Sequence, residues 1–461
     1  MDKKFKILVF TILVIMTLLL VGCGDGIETY VADGNVERVK QVLEKDPGIL
    51  KTKTSEFGSL LHLAAFHGRD KCVRLLVAQG LNPDIVQYRF RWRPIHLAIK
   101  GGHFSTVRLL VSLGASVKKI STEDTPPICL AAGEGRLGML RFFLDAGAGL
   151  DEIDPLGYIA LHPAAAKGSS VIVAFLVERG VDVNHKSHWK FTPLHLAAKE
   201  GHLDICKFLL ANGALVDPLS KSQYSPMLQA ASYGHREIVE YLVEQGANVR
   251  ATSKDGFNLL HLAALKSNLR LLEFALNHGL SPSSVDNNGD TALHFCAIRN
   301  NIEGARILLA AGVNPNLVDK HGYTPMRWAR TSGRREIIEL MTSLHRAAGE
   351  GNAVEANRLA STYPSLINCQ DGNGWLPLHH AAKAGSREVA EILIQAGSER
   401  GRQAPFESIP ILRGSVARLM IPFDMRVYSR PYGKTAADIA EQYNYKDLAA
   451  FLARRPAAVV F

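Results

Sequence analysis

Histidine is the residue type with the most evident chemistry in this 461-residue chain, and six copies share one spacing: His62, His96, His162, His195, His261 and His294. Imidazoles can ligate metals or move protons. Successive copies are one or two periods of about 33 residues apart, so no period contains more than one of them, and each can hydrogen-bond the backbone of a turn between repeats. We therefore interpret these histidines as structural. His185 and His188 share one loop and could touch a metal; the alternative is two exposed side chains.

Other fragments imitate catalytic or ligand-binding motifs without completing them. Gly433-Lys434-Thr435 resembles the end of a phosphate-binding loop, but Tyr428 stands where the loop needs a glycine. Asp286 to Asp290 begins like a calcium loop, but Ala297 replaces the bidentate glutamate. The six cysteines show no paired spacing typical of disulfides or zinc sites. The sequence therefore predicts no catalytic residue, no metal and no cofactor.

The elements that position these residues follow from the period itself. The position of His195 recurs at a nearly constant step from His62 to Arg327, and a glycine keeps the same step from Gly80 to Gly312. A period of about 33 residues is expected for a turn followed by two helices. No such unit buries its apolar faces alone, so the pattern predicts a stacked helical solenoid.

Each residue of the repeated motif has a local task. Thr192 is suited to cap the first helix and Pro193 to occupy its first turn, where no N–H is required. The small Ala197 and Ala198 would let neighbouring units approach closely. Gly213 is placed to end the second helix, since glycine adopts positive φ at low cost. We call the turn that joins successive repeats the finger.

These residues resemble the ankyrin repeat. The resemblance rests on three segments: Thr192–Ala198, Gly201–His202 and Ala211–Ala214. It covers most of Gly24 to Leu452. The motif departs from the family pattern at three marker positions, Cys129, Leu228 and Arg327. The resemblance implies an all-α solenoid of stacked ankyrin repeats, about twelve units including caps. It also implies a non-enzymatic role in protein binding.

The N-terminus is of another kind. Three lysines precede an uncharged apolar run from Ile7 to Leu20, and Leu20-Val21-Gly22-Cys23 resembles the bacterial lipobox. We predict a signal peptide over 1–22 and lipidation of Cys23, with an uncleaved anchor or a plain secretory signal as alternatives. Each alternative exports the repeats. The predicted location is the cell envelope, on a lipid-anchored protein facing the periplasm or the exterior of a bacterium.

Six segments follow from the repeat markers. After the signal peptide we place an N-terminal capping repeat at 23–57 and a first repeat block at 58–342. A shortened marker step, followed by a second unit that lacks a finger, indicates a second block at 343–397. The next marker step, from His379 to Asp438, is much longer than one period and indicates a basic insertion at 398–431, followed by a C-terminal capping repeat at 432–461. The insertion could be functional or decorative.

The formal net charge of +9 is unevenly placed. Basic and aromatic residues fall at predicted finger tips and first-helix ends: Arg89, Arg91, Trp92, Lys100, Tyr158, Lys167, Trp189, Lys190, Lys199, Lys221, Tyr224, Lys254, Lys266, Arg299 and Lys320. The resemblance implies that these residues line a concave groove. Such a groove suits an acidic protein segment; the alternative is an ordinary solvated face. Anionic lipid headgroups are a further candidate, whereas nucleic acid is a poor partner outside the cytoplasm.

We therefore predict a monomeric, lipid-tethered scaffold that binds a protein through this groove and the membrane through its N-terminal lipid. One alternative is an accessory protein that regulates or stabilises a periplasmic enzyme or envelope complex. A remote alternative is an enzyme with its site in the 398–431 insertion, which contains no histidine or cysteine.

Overall fold

The structure, a computed structural model, describes residues 26–51, 58–87, 91–398 and 435–453. Over these ranges the chain forms 25 α-helices, two short 3₁₀ helices and no β-strand, which confirms the predicted all-α repeat fold. The predicted signal peptide with Cys23, Arg89 and all of the 398–431 insertion except Ser398 lie outside the described residues.

The chain divides into two compact units, residues 1–221 and 222–461. Unit 1 contains six described helix pairs, in which odd numbers are first helices and even numbers are second helices: α1 Ile27–Asp33, α2 Val36–Lys45, α3 Leu60–Phe66, α4 Asp70–Ala78, α5 Pro94–Gly101, α6 Phe104–Ser112, α7 Pro127–Gly133, α8 Leu137–Asp145, α9 Leu161–Lys167, α10 Ser170–Glu178, α11 Pro193–Glu200 and α12 Leu203–Ala211. A 3₁₀ helix, Pro47–Lys51, follows α2.

Unit 2 contains thirteen described helices, and from α21 onward the odd numbers are second helices: α13 Pro226–Tyr233, α14 Arg236–Glu244, α15 Leu259–Leu265, α16 Leu269–Asn277, α17 Ala292–Arg299, α18 Ile302–Ala310, α19 Pro325–Thr331, α20 Arg335–Gly349, α21 Ala353–Thr362, α22 Pro377–Ala384, α23 Arg387–Gln395, α24 Ala436–Gln442 and α25 Lys446–Ala453. A 3₁₀ helix, Pro364–Leu366, follows α21. Helix α20 is 15 residues long because it joins the second helix of one repeat to the first helix of the next without a finger.

Local sequence explains where a typical repeat begins and ends its helices. Thr192 is extended, and its hydroxyl accepts a hydrogen bond from the His195 N–H, while Pro193 occupies the first turn. Gly201 ends α11 in the left-handed region at φ 90°. After α12 the chain passes through Gly213 at φ 87°. These are the caps that the motif predicts.

Packing between repeats holds each unit together. First helices contact first helices of adjacent repeats, and several second helices contact the next second helix. Ala197 and Ala198 are fully buried on α11, and Ile205, Cys206 and Leu209 are fully buried on α12. The five described cysteines are all buried and free: Cys72, Cys129, Cys206, Cys296 and Cys369.

The three departures from the motif are accommodated locally. Cys129 directs its Sγ toward the carbonyls of Glu152 and Tyr158, at 3.5 and 3.7 Å, in place of an imidazole. Leu228 is fully buried. The Arg327 guanidinium lies 3.9 Å from the centre of the Tyr323 ring. No helix among the described residues is long and apolar enough to cross a bilayer.

Replacing Ala197 with leucine tests the close approach of first helices. Ala197 is fully buried against neighbouring repeats, so we expect Ala197→Leu to lower the free energy of unfolding by about 1–3 kcal/mol through overpacking. Ala211→Leu is the matched control, because Ala211 is an exposed helical position and the change there should stay within about 0.5 kcal/mol. Equal effects in chemical denaturation would contradict tight packing at Ala197.

Candidate functional site

The repeated histidines connect adjacent repeats. In five of the six, the Nε2 atom lies within hydrogen-bond distance of a carbonyl in the next finger: His62 to Trp92 at 3.0 Å, His96 to Thr125 at 2.6 Å, His162 to Phe191 at 3.0 Å, His261 to Ser284 at 3.1 Å and His294 to Tyr323 at 3.1 Å. His345, which follows the junction in α20, makes the same contact with Trp375 at 3.0 Å. The predicted hydrogen bonding of these imidazoles to finger backbone is present.

The other ring nitrogen settles the protonation state. The backbone N–H groups of Arg93, Asn258 and Thr291 donate to Nδ1 of His96, His261 and His294, respectively. An Nδ1 that accepts carries no hydrogen, so Nε2 must carry it and donate to the carbonyl. Burial lowers the pKa of His62 to about 4 and of His96 to about 3. Burial likewise lowers the pKa of the others in this set, which therefore consists of neutral imidazoles and which we call the histidine ladder: His62, His96, His162, His261, His294 and His345.

In several fingers an aspartate side chain holds the backbone of the turn through hydrogen bonds. In the finger before α19, the Asp319 Oδ1 accepts the N–H groups of His321 and Tyr323, both at 2.8 Å. Gly322 closes the turn at φ 73°, in the left-handed region that favours glycine. Asp154, Asp286 and Asp371 make the same pair of contacts in their fingers, and this repeated geometry gives these tips a similar backbone path.

Adjacent finger tips are also joined through the backbone. In unit 1 the His188 N–H donates to the Leu156 carbonyl and the Lys221 N–H to the Trp189 carbonyl, both at 3.0 Å. In unit 2 three such bonds repeat one period apart: Lys254 to Ser222, Asn287 to Asp255 and Lys320 to Asn288. The tips therefore present their side chains from a hydrogen-bonded row within each unit.

The unit 1 tips bring three predicted groove residues together. The Trp189 side chain is 55% exposed, and the Lys221 Nζ lies 5.2 Å from the centre of its ring. Lys190 is exposed beside it, at φ 58°. An exposed tryptophan with flanking cations is the composition of a binding hot spot. We call Trp189, Lys190 and Lys221 the finger cluster.

The remaining predicted groove residues fall into distinct environments. The exposed ones are Arg91, Lys167, Lys254, Lys266, Arg299 and Lys320. Lys100 and Lys199 are ion-paired, with Glu134 at 2.6 Å and Glu200 at 2.7 Å. The Lys320 Nζ donates to the Asn288 side chain at 2.9 Å.

Several predicted aromatic anchors are structural neighbours of the histidine ladder. Trp92 is half-buried and stacks on His96 with ring centres 6.4 Å apart, and Tyr158 stacks on His162 at 4.9 Å. Tyr224 is also half-buried. Trp189 differs because it lies at the tip and is mostly exposed.

The sequence analysis did not predict the buried cation Arg93. Arg93 occupies the cap position that Thr192 holds in its repeat, and its side chain is fully buried. The guanidinium contacts Asp84 at 2.8 Å and Asp124 at 3.1 Å, and donates to the Ser116 and Lys118 carbonyls. An arginine where the motif places threonine was the only signal in the sequence. Its role is to connect two repeats.

The described residues contain no group of three or more histidine, cysteine, aspartate or glutamate side chains able to hold a metal ion. His185, one of the two candidate loop ligands, has its Nε2 at 3.3 Å from the Gly157 carbonyl.

Sequence comparisons match known families over most of the chain. The signature "Ankyrin repeats (3 copies)" matches residues 29–121, 183–253, 227–319 and 260–343. "Ankyrin repeats (many copies)" matches residues 344–394, and "Ankyrin repeat" matches residues 156–188.

The similar curated proteins match over short segments only. The chain is 36% identical over 62 residues to the NAD-capped RNA hydrolase NUDT12 of Homo sapiens, which is 13% of each chain. It is 31% identical over 100 residues to the putative E3 ubiquitin-protein ligase XBAT31 of Arabidopsis thaliana, or 21% of this chain and 22% of the relative. The chain thus spans less than a quarter of either relative.

The neutral histidine ladder predicts loss of stability in mild acid. The pKa of His62, His162 and His345 is lowered by burial to about 4, against 6.5 for the ordinary group. Between pH 6.5 and pH 4 these histidines are protonated in the unfolded chain but neutral in the folded chain. The free energy of unfolding therefore has its full value above pH 6.5 and declines toward pH 4. We expect the midpoint of chemical unfolding to fall steadily across this window.

His62→Leu isolates one member of the ladder, since leucine is already accommodated at the equivalent Leu228. The variant should be less stable than the parent at pH 7, because the Trp92 carbonyl loses its donor. Between pH 7 and pH 5 it should lose about 1–2 kcal/mol less stability than the parent. Parallel pH profiles for the two proteins would show that His62 does not titrate as stated.

Proposed function

The chain belongs to the ankyrin-repeat family, and on that premise we propose that it is a non-enzymatic scaffold, exported and lipid-tethered, which binds a partner protein through its finger tips and first-helix ends. Ankyrin repeats suggest a role in protein–protein interaction. Fold alone names no partner, so the proposal depends on the chemistry of the surface residues.

The finger cluster is the observation that carries the proposal. Burying a tryptophan normally contributes stability, yet the fold leaves 55% of Trp189 in solvent while packing Trp92 and Tyr158 onto histidines. Lys190 and Lys221 add positive charge around that ring. A partner with an acidic segment and an apolar side chain would satisfy both features.

Export and tethering rest on the sequence alone. The lipobox-like Leu20-Val21-Gly22-Cys23 follows a basic start and an apolar run. A lipid on Cys23 would place the repeats at the surface of a bacterial membrane, in the cell envelope. The partner we propose is therefore an envelope protein, reached by a monomeric, tethered scaffold.

Substitutions in the finger cluster test the binding surface. A partner should first be isolated by cross-linking and capture from envelope membranes, and its kinetics measured with purified protein. We expect Trp189→Ala to accelerate dissociation by about tenfold or more, because a buried aromatic anchor acts mainly on residence time. Leu215→Ala, which truncates a side chain that is 56% exposed in the same unit, is the control and should leave dissociation unchanged.

Charge reversal at Lys190, Lys221 and Lys254 tests the electrostatic part of the surface. The triple change to glutamate should slow association and reduce its dependence on salt, since these exposed charges act by steering. If the partner binds the reversed protein and the Trp189→Ala protein as the parent does across a salt titration, the finger tips are not the binding surface.

Lipidation is tested by mass spectrometry of the mature protein. We expect an N-terminal Cys23 that carries two or three acyl chains, because Gly22 and the aliphatic residues before it fit the processing pattern. Cys23→Ala should abolish processing and the acyl mass. An exported protein that retains Met1, or unchanged membrane attachment after Cys23→Ala, would contradict the tether.

A further inference from the structure

A column of equivalent positions on the second helices changes sign along the chain. The fifth residue of these helices in unit 1, taken from α2 to α12, is Lys40, Arg74, Arg108, Arg141, Ala174 and Lys207. The fifth residue of α14, α16, α18 and α20 in unit 2 is Glu240, Glu273, Arg306 and Glu339. These positions are on second helices, whereas the finger cluster is in the turns between repeats, so the two sets share no residue.

The three arginines of this column are exposed, and none of them belongs to an ion pair within the described residues. Within the described part of the chain, Arg74, Arg108 and Arg141 have no carboxylate within 4 Å. Asp70 stands one helical turn before Arg74, but its carboxylate accepts the Thr106 hydroxyl at 2.5 Å. We call Arg74, Arg108 and Arg141 the arginine row.

Some second helices in both units pair their charges internally. In unit 1, Lys40 pairs with Glu44 at 4.0 Å. In unit 2, Arg236 pairs with Glu240 at 2.6 Å, and Arg306 pairs with Glu303 at 3.3 Å. Ion pairs within one helix therefore occur in this fold, and the arginine row has none. A row of arginines without ion pairs favours the binding of an external anion.

Exposed apolar groups lie next to the arginine row. Phe104, one helical turn before Arg108, is 38% exposed, and its ring meets the Phe142 ring edge-on with centres 5.7 Å apart. The Arg141 guanidinium lies 5.2 Å from the centre of the Phe175 ring. Val171, at the start of the next second helix, is 66% exposed. This mixture of arginine with exposed apolar side chains is typical of surfaces that lie at a membrane interface.

The geometry of the row suits an extended array of phosphates. Helices α4 and α6 are in contact, as are α6 and α8. Packed helices lie about 8–10 Å apart, so the three guanidinium groups extend over roughly 20 Å. Each guanidinium can hold a phosphate through two parallel hydrogen bonds. Adjacent headgroups of an anionic bilayer present such phosphates side by side.

We propose that the arginine row docks unit 1 onto the anionic headgroups of the membrane that holds its N-terminal lipid. The choice of membrane rests on the tether in the proposed function. Cys23 lies three residues before Gly26, where the described chain begins, and three residues span at most about 10 Å. A lipid on Cys23 therefore keeps unit 1 close to the bilayer, where Arg74, Arg108 and Arg141 bind lipid phosphates and Phe104 and Val171 enter the interface.

Vesicle binding by the full chain tests the proposal. Unlipidated Cys23→Ala protein should be sedimented with phosphatidylcholine vesicles, with and without phosphatidylglycerol, so that the N-terminal apolar run contributes to both. We expect the parent to prefer the anionic vesicles by at least about tenfold and to lose this preference as salt rises. Adding Arg74→Glu, Arg108→Glu and Arg141→Glu should abolish most of the preference.

The finger-tip triple, Lys190→Glu, Lys221→Glu and Lys254→Glu, changes net charge equally and should retain the preference. Circular dichroism and the thermal midpoint check that both triple variants fold. The proposal is wrong if the parent shows no preference, if both triples lose it equally, or if the arginine triple keeps it. If the arginine triple instead keeps its vesicle binding and loses a captured protein partner, the row is a protein-docking surface.

These outcomes separate this inference from the proposed function. Failure of lipidation would appear in the mass of Cys23, whereas failure of the row would appear only in the anionic preference. Protein binding at the finger cluster is measured with other variants and does not depend on either result.

Discussion

The two-sided hydrogen bonding of a neutral imidazole is the side-chain contact that recurs between repeats. In His96, His261 and His294 one ring nitrogen accepts the N–H of the helix cap, and the other donates to a carbonyl of the next finger. A single side chain thereby caps the start of its own helix and positions the following repeat. Because accepting a hydrogen bond at Nδ1 requires the neutral ring, burial stabilises the state that the geometry needs.

This arrangement separates the residues that build the protein from those that remain for recognition. The histidines, the helix-cap residues and the small alanines make contacts within and between repeats. Side chains at the finger tips and at the fifth positions of second helices lie largely outside the packed core, so they are free to differ between repeats. Trp189 and the arginine row lie at these two kinds of position.

The two units show how such positions acquire different chemistry on one framework. Unit 1 presents unpaired arginines on its second helices, whereas Glu240 of unit 2 pairs with Arg236 inside its own helix. The arginines of the row are exposed to solvent. In the functions we propose, they contact a lipid surface while the finger cluster contacts a protein.

The sequence by itself determined the period, the fold class and the local chemistry of helix caps. These depend on residues close together in the chain: Thr192 and Pro193 start a helix, and Gly201 ends it. Tertiary structure decided which charged groups and aromatic rings remain exposed and able to bind a partner. Lys100 meets Glu134 of the following repeat, and Arg93 is buried between two aspartates. Such contacts join different repeats, and a pattern within one repeat carries no information about which neighbouring side chain neutralises or covers its residues.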